Sequence, residues 1–373
     1  MKEKALTVIF CGGGTGGHVF PSLALAQRLR EKHAGSKILF LGKKGKLEEY
    51  LAAKNDFAFH DIACCQFPEK GIADFFRFIL RTLAGTISSL KIILREKPDF
   101  IIGSGGYVSI PGVAAGLLTG KKVYLLEQNV IPGKTNKIFA LFARKIFTGL
   151  PVSGKMKLRD KWVYTGNPLR TNLKLVSRDS ALRYFGMNRK PFCIGIIGGS
   201  QGAAGINGVM PEALNLMKNR DKSQVIHIAG RKCADAVIKK YRDFNIDAKV
   251  LEFIDDIENF YSAIDVIVSR AGALALAEIS YYRLPALLIP FPHAAQDHQK
   301  LNAELVSGTG AACWLNEGEA IPPKIANALD RMLDDAGLRG KMRASWEKFY
   351  RTDSAGRIIE IIEEDMNGGK KTV

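Results

Sequence analysis

Short apolar runs separated by stretches of helical spacing set the rhythm of this chain. Residues 6–10, 37–41, 100–102, 123–126 and 146–147 form such runs in the first half; 193–197, 225–228, 250–253, 266–268 and 286–289 form them in the second. They are continuous rather than alternating, the mark of strands covered on both faces and hence of parallel sheets. Alternation with helices predicts doubly wound βαβ units. Glycine-rich strings occupy equivalent places in the two halves: Cys11-Gly12-Gly13-Gly14-Thr15-Gly16-Gly17-His18 after the first run, and Gly198-Gly199-Ser200-Gln201-Gly202-Ala203 after residues 192–197. Glycines at a strand-to-helix turn let backbone N–H groups approach an anion at the positive end of a helix. One such loop per half predicts paired α/β domains with a cleft between them.

The string Gly166-Asn167-Pro168-Leu169-Arg170 opens the second unit, after a basic stretch holding Lys155, Lys157, Arg159 and Lys161. The expected domains are 1–165 and 166–373, with a linker near 160–172 and a frayed tail over 367–373. A chain of 373 residues with 47% hydrophobic and 24% charged residues can give each half its own core. No run approaches the roughly 18–20 apolar residues of a membrane span. No apolar signal segment precedes the first strand, so a cytoplasmic protein is expected. Cys11, Cys64, Cys65, Cys193, Cys233 and Cys313 contain no C-x-x-C pair or zinc-type spacing, which fits a reducing compartment.

A net charge of +17 suits nucleic acid, anionic lipid or a polyphosphate substrate. Zinc-finger, basic-zipper and RNP-type motifs are absent, so no nucleic-acid partner is expected. Gly12-x-Gly14-x-x-Gly17 matches the dinucleotide fingerprint, but that motif needs an acid at the end of the second strand. Here residues 37–41 lead into Gly42-Lys43-Lys44. The adjacent lysines leave NADP open.

Gly103-Ser104-Gly105-Gly106-Tyr107 and Glu127-Gln128-Asn129 also follow strands of the first half, so these loops and residues 12–18 are expected to converge on one site. In the second half, Ser269-Arg270-Ala271-Gly272 precedes a helix over 273–282, whose N-terminus favours a phosphate. Glu278 on that helix reads either as a solvated face residue or as an acceptor for sugar hydroxyls. A polar segment, Pro292-His293-Ala294-Ala295-Gln296-Asp297-His298-Gln299, follows the next strand. No H-E-x-x-H or D-x-D pattern occurs, so neither a metal nor another cofactor is expected.

Together the strings at 13–21, 103–107, 127–129, 166–170, 198–203, 269–273 and 297–299 resemble, in order, the MurG family of peptidoglycan glycosyltransferases. The likeness runs from about residue 7 to 305. It implies a GT-B fold, two Rossmann-like doubly wound domains around a central cleft, and inverting transfer of N-acetylglucosamine from UDP-GlcNAc to the muramyl C4 hydroxyl of lipid I, giving lipid II. The first domain would bind the acceptor through Gly14, His18, Gly105, Gly106 and Tyr107. The donor would meet Thr15, Gly16, Gly17, Asn129, Arg170, Ser200, Ile254, Ala273, Leu274, Glu278 and Gln299, with Thr15, Gly16 and Gly17 bordering both the donor sugar and the acceptor diphosphate. Around 293–299 the chain departs from the family pattern, and Gln296, His298 and Gln299 all stay candidates for the sugar contact. The last helix becomes a candidate to pack back on the first domain. His18 is the candidate base, with an ordinary pKa of about 6.5 suited to neutral pH, or else a helix-capping residue.

Other readings are another GT-B transferase or epimerase, an NADP oxidoreductase, and a non-catalytic lipid-diphosphate binder. A lipid-borne acceptor implies work at the cytoplasmic face of the inner membrane, with other cell-wall and division proteins as candidate partners. Residues 71–97 read as a helix carrying Ile72, Phe75, Phe76, Ile79, Leu83, Ile87, Leu90 and Leu94 at helical spacing, a stripe that alone predicts core packing. Phe78 and Leu80 lie off that stripe, among Lys70, Arg77, Arg81, Lys91 and Arg95. Phe75, Phe76, Arg77, Phe78, Leu80 and Arg81 are therefore expected to dock on anionic phospholipid.

Overall fold

Each glycine-rich string joins the strand at a sheet's turning point to a helix. The computed structural model describes residues 5–68, 71–152, 158–171, 173–188, 190–199 and 202–368. They form two units, residues 1–171 with 351–373, and residues 172–350. The first unit runs β1 (Thr7–Cys11), α1 (Gly16–Lys32), β2 (Lys37–Gly42), α2 (Leu47–Lys54), β3 (Ala58–Asp61), α3 (Ile72–Glu96), β4 (Phe100–Gly103), α4 (Gly106–Leu118), β5 (Lys122–Glu127), α5 (Lys134–Phe139), β6 (Lys145–Thr148) and β7 (Trp162–Tyr164). Its seven strands are parallel, in the order β3-β2-β1-β4-β5-β6-β7.

The second unit runs α6 (Arg178–Tyr184), β8 (Phe192–Ile197), α7 (Ala204–Asn215), β9 (Ser223–Ile228), α8 (Ala234–Asp243), β10 (Ala248–Leu251), α9 (Ile257–Ala263), β11 (Val266–Ser269), α10 (Ala273–Tyr282), β12 (Ala286–Leu288), α11 (His298–Gly308), β13 (Ala312–Trp314), α12 (Pro322–Asp334) and α13 (Ala336–Ser345). Its six-stranded parallel sheet has the order β10-β9-β8-β11-β12-β13. α14 (Ser354–Met366) returns to the first unit.

The apolar runs become the central strands because helices cover them on both faces. In the first sheet Val8, Phe10 and Phe40 pack with α1 and α14 on one side, and Ile9, Leu39 and Ile101 pack with α3 and α4 on the other. β3, β7 and β13 were not among the expected runs. They are short edge strands, mostly half-exposed, where hydrophobic contrast is weak. The run expected over 250–253 ends earlier, at Leu251.

The division falls at 171/172, six residues past the expected 165/166 and within the linker expected near 160–172, and 351–373, which holds the helix that was the candidate to pack back, joins the first unit. Gly166 N–H donates to Thr148 O at 3.1 Å, which continues the first unit past β7. α14 buries Ile358, Ile359, Ile361 and Ile362 in the first core. Its acids fasten it there: Glu363 to Lys32 and His33, and Asp365 to Arg144 and Tyr124.

Candidate functional site

The chain order of the first sheet reverses between β1 and β4, so the loops after these strands flank the crevice where open α/β sheets bind ligands. The three expected loops meet there. His18 Nδ1 lies 3.2 Å from Gln128 Oε1, and Gln128 Nε2 donates to Ser104 O at 3.3 Å. An amide oxygen only accepts, so this network puts the His18 proton on Nδ1 and the lone pair on Nε2. His18 belongs to the first turn of α1, beyond the N-cap Thr15, so it does not cap the helix. Its ring lies against Gly105 and Gly106, with φ of 85° and 70°. A Cβ at Gly106 would come within 3.2 Å of the imidazole, so these glycines serve both the turn and the approach of the ring. Gly14 faces the half-exposed ring of Tyr107.

Two buried carboxylates support this end of the sheet. Glu127 accepts from Asn129 N–H at 3.0 Å, Gly133 N–H at 2.9 Å and Asn136 Nδ2 at 2.9 Å, which sets the loop bearing Asn129. Glu48, in the first turn of α2, accepts from Gly14 N–H and Lys43 N–H, each at 3.2 Å. Sequence reasoning missed Glu48 and Asn136. The dinucleotide motif asks for an acid at the end of β2, and Glu48 comes six residues later in a lysine-rich stretch. Arg170 also belongs to the first unit, stacked 4.7 Å over Phe20 of α1, rather than to the second as expected.

In the second sheet the reversal falls between β8 and β11. Ser200 lies outside the described residues. Gly202 has φ of 75° and packs against Ala229 O. That carbonyl accepts from Asn207 Nδ2 at 2.7 Å; Asn207 Oδ1 lies 3.0 Å from His227 Nε2, and Tyr241 Oη lies 2.8 Å from Nδ1. The chain fixes a neutral imidazole that donates from Nε2 and accepts at Nδ1. Burial pushes its pKa down to about 3.

After β11, buried Arg270 donates to Ile289 O at 3.0 Å and Pro290 O at 3.1 Å, and pairs with Glu317. Asn302 Nδ2 donates to Ala271 O at 3.1 Å and steadies the turn. α10 starts at Ala273 and Leu274, so its N-terminus does open at the carboxyl end of β11. Glu278 is 5% exposed and accepts from Tyr261 Oη at 2.7 Å. The solvated-face reading therefore fails. Ile254 is buried in the loop after β10. Gln299 Oε1 accepts from Phe291 N–H at 3.0 Å, and Gln296 and Asp297 hold φ of 53° and 52°, a left-handed pair at the start of α11. Among the described residues no group of three or more His, Cys, Asp or Glu side chains is placed to hold a metal ion.

Of the α3 residues expected to dock, Phe75, Phe76, Arg77, Leu80 and Arg81 are exposed. The buried side carries Gly85, Thr86, Ser89 and Ile93, while Ile72, Phe75, Phe76, Leu80, Leu83, Ile87 and Leu94 are exposed, Leu80 by 65%. A Cβ at Gly85 would collide with Ala63 O, so the small residues are what let the helix approach. Of the stripe that alone would predict core packing, only Ile79 and Leu90 are half-buried, and the rest faces outward. Phe78, expected on the outer surface, is half-buried and stacks on Phe67 at 5.1 Å. Arg77 and Arg81 are exposed beside the apolar residues, and Lys70 lies outside the described residues. Among the described residues no helix is long and apolar enough to cross a membrane.

Residues 8–148 match the glycosyltransferase family 28 N-terminal domain, and residues 193–355 match its C-terminal domain. The UDP-N-acetylglucosamine--N-acetylmuramyl-(pentapeptide) pyrophosphoryl-undecaprenol N-acetylglucosamine transferase of Halothermothrix orenii is 33% identical over 372 residues, covering 97% of this chain and 100% of its own. The enzyme of the same name from Myxococcus xanthus is 34% identical over 353 residues, covering 92% and 91%. The crystal structure of Acinetobacter baumannii MurG aligns with a TM-score of 0.76 at 28% identity, over 96% of this chain and 99% of that one. Two parallel-sheet units of this order, matched along their length, make the fold GT-B, and the chain belongs to the MurG family within the glycosyltransferases of family 28.

Proposed function

We propose that this chain transfers N-acetylglucosamine from UDP-GlcNAc to the muramyl C4 hydroxyl of lipid I, with inversion, to give lipid II. The observation that carries this reading is that the matched sequence runs through both turning points, taking in the loops at 12–18, 103–107 and 270–272. The first unit takes the acceptor: the backbone at Thr15, Gly16 and Gly17, opening α1, receives its diphosphate beside Gly105, Gly106 and Tyr107. His18 is the base. With Nδ1–H held by Gln128, Nε2 takes the C4 hydroxyl proton as the oxygen attacks the anomeric carbon.

The second unit takes the donor. The N-terminus of α10 at Ala273 and Leu274 stabilises charge on the departing UDP diphosphate. Glu278, held by Tyr261, accepts from the ribose, and the backbone at Ile254 reads the uracil. Asn129 and Gln299 contact the sugar hydroxyls, and Arg170 and Ser200 serve the UDP moiety. No metal takes part in this scheme, because helix termini supply the positive field. The exposed apolar face of α3, flanked by Arg77 and Arg81, docks on anionic phospholipid and brings the first unit to the lipid-borne acceptor. Incubation with radiolabelled UDP-GlcNAc and a short-chain lipid I analogue tests the reaction. Label must appear in a disaccharide lipid; release of free sugar alone, or no transfer, would sink the reading.

A further inference from the structure

In a dinucleotide-binding turn the second glycine is the one that lets the backbone reach the pyrophosphate. That glycine is Gly14 here, and its N–H already donates to Glu48 Oε2 at 3.2 Å. The other carboxylate oxygen accepts from Lys43 N–H at 3.2 Å, so Glu48 bridges the segments that follow β1 and β2. Glu48 is 1% exposed. Its space exists because two neighbours lack side chains: a Cβ at Gly13 would collide with the carboxylate, and one at Gly42 with the Glu48 stem. A carboxylate stripped of water needs N–H donors in its place, and the glycine loop supplies one of them.

We infer that Glu48 is a built-in anion occupying the amide position of the N-terminal glycine loop, which closes that loop to a nucleotide diphosphate and fixes the first turn of α1 toward the acceptor. Glu48 is a positioning and specificity residue, since it holds the loop through Gly14 rather than touching substrate. The second unit handles its acid differently: Glu317, beside Gly205 at the start of α7, is paired with Arg270, which offsets its charge. The inference rests on the reading that the nucleotide belongs to the second unit.

Glu48→Gln in the full chain tests it. The amide keeps the size of the side chain but has one acceptor for two N–H donors and no charge. Inorganic pyrophosphate is titrated by calorimetry with UDP saturating, and turnover is measured on a water-soluble acceptor analogue. Pyrophosphate should bind about tenfold tighter once the like charge is gone. Turnover should fall about 10–100-fold as the loop shifts, with UDP affinity unchanged. Tighter pyrophosphate binding with slower turnover is a split that general loosening of the fold cannot produce. If both readouts stay at wild-type values, or both weaken together, Glu48 is packing only and the inference is overturned. Weaker UDP binding in this variant would also overturn it, by putting the nucleotide on the first loop. Gly13→Ala, which displaces the carboxylate without altering it, should give the same split and serves if Glu48→Gln fails to fold. UDP affinity unmoved by Glu278→Ala would strike the donor assignment instead, through a readout separate from pyrophosphate.

Discussion

Glu48 and His227 support equivalent turns by opposite means. Under the first loop a carboxylate accepts directly from the loop backbone at Gly14. Under the second, the neutral chain from Tyr241 through His227 to Asn207 holds Ala229 O, against which Gly202 packs. A shared strand–glycine–helix geometry thus comes with different electrostatics at its base. The charged support competes with an anionic ligand for loop amides; the neutral one does not. The two units also differ in what they show to solvent. α3 of the first turns its apolar face outward, whereas α12 of the second buries Ile325, Leu329, Met332 and Leu333. On the proposed function, this contrast suits a first unit that meets a lipid-borne acceptor and a second that meets a nucleotide.

The harshest way to break this comparison is at His18. His18→Ala should lower turnover about 10²–10⁴-fold, the usual worth of a general base. UDP affinity should stay within twofold, because His18 lies in the first unit, which the proposed function gives to the acceptor. Steady-state rates at saturating substrates, with calorimetry for UDP, make the check. Near-normal turnover would remove His18 from the chemistry.

Next in size is the outer face of α3. Replacing Phe75 and Leu80 by Ser, and Arg77 and Arg81 by Glu, should abolish sedimentation with anionic vesicles, since each basic residue near such a surface contributes about 1 kcal/mol. High salt should weaken wild-type binding in the same direction. Turnover on a water-soluble acceptor should survive. Phe78→Ser alone should instead loosen the helix, because Phe78 stacks on Phe67. Vesicle binding unaffected by the fourfold change would move docking elsewhere.

The turning-point loops were legible because glycines there answer to local geometry. Gly105 and Gly106 need positive φ, and the strings around them are short enough to read by eye. Central strands were legible because they are apolar on both faces. What the pattern hid was orientation and distance in sequence. The stripe on α3 is periodic whichever side faces inward, and only Gly85 meeting Ala63 O decides it. Glu48 hid among lysines because its partner Gly14 lies on a different loop, 34 residues away. α14 joins the first unit through ion pairs with Lys32 and Arg144, more than 200 residues upstream, which no local pattern announces. Glu278 read as ambiguous because its burial depends on Tyr261, on another helix.

On the donor side, Glu278→Ala should weaken UDP binding by about 1.5–3 kcal/mol, the worth of a hydrogen bond to a charged group, or roughly 10–100-fold. Turnover at saturating donor should fall less than in His18→Ala. Calorimetry with UDP, and circular dichroism for the fold, make the check. Unchanged affinity would return Glu278 to a structural partner of Tyr261.

The smallest effect separates the two supports by acid. Burial holds His227 near a pKa of about 3 in the folded chain, against about 6.5 for an unfolded imidazole. Between these values the unfolded chain binds a proton that the folded second unit refuses. Stability is therefore lost as pH falls through that window, by at most about 1.4 kcal/mol per pH unit. In the first unit the corresponding groups are carboxylates of α14. Burial raises the Asp365 pKa, but Arg144 and Tyr124 outweigh it; burial raises that of Glu363, but Lys32 and His33 outweigh it; both end below the ordinary value. Their contribution is intact above about pH 4 and is lost only as pH falls through the carboxylate range. His60, also held low by burial and by Arg95, lies on the edge strand β3 and weighs less. Acidification from about pH 7 to 5 should thus open the second unit first. Hydrogen exchange followed by mass spectrometry, corrected for intrinsic rates, should show β8, β9 and α7 losing protection before β1, β4 and α14. His227→Gln should flatten that dependence. Earlier loss in the first unit, or the same slope in the variant, would mean that the neutral chain beneath Gly202 is not what makes the second unit acid-sensitive.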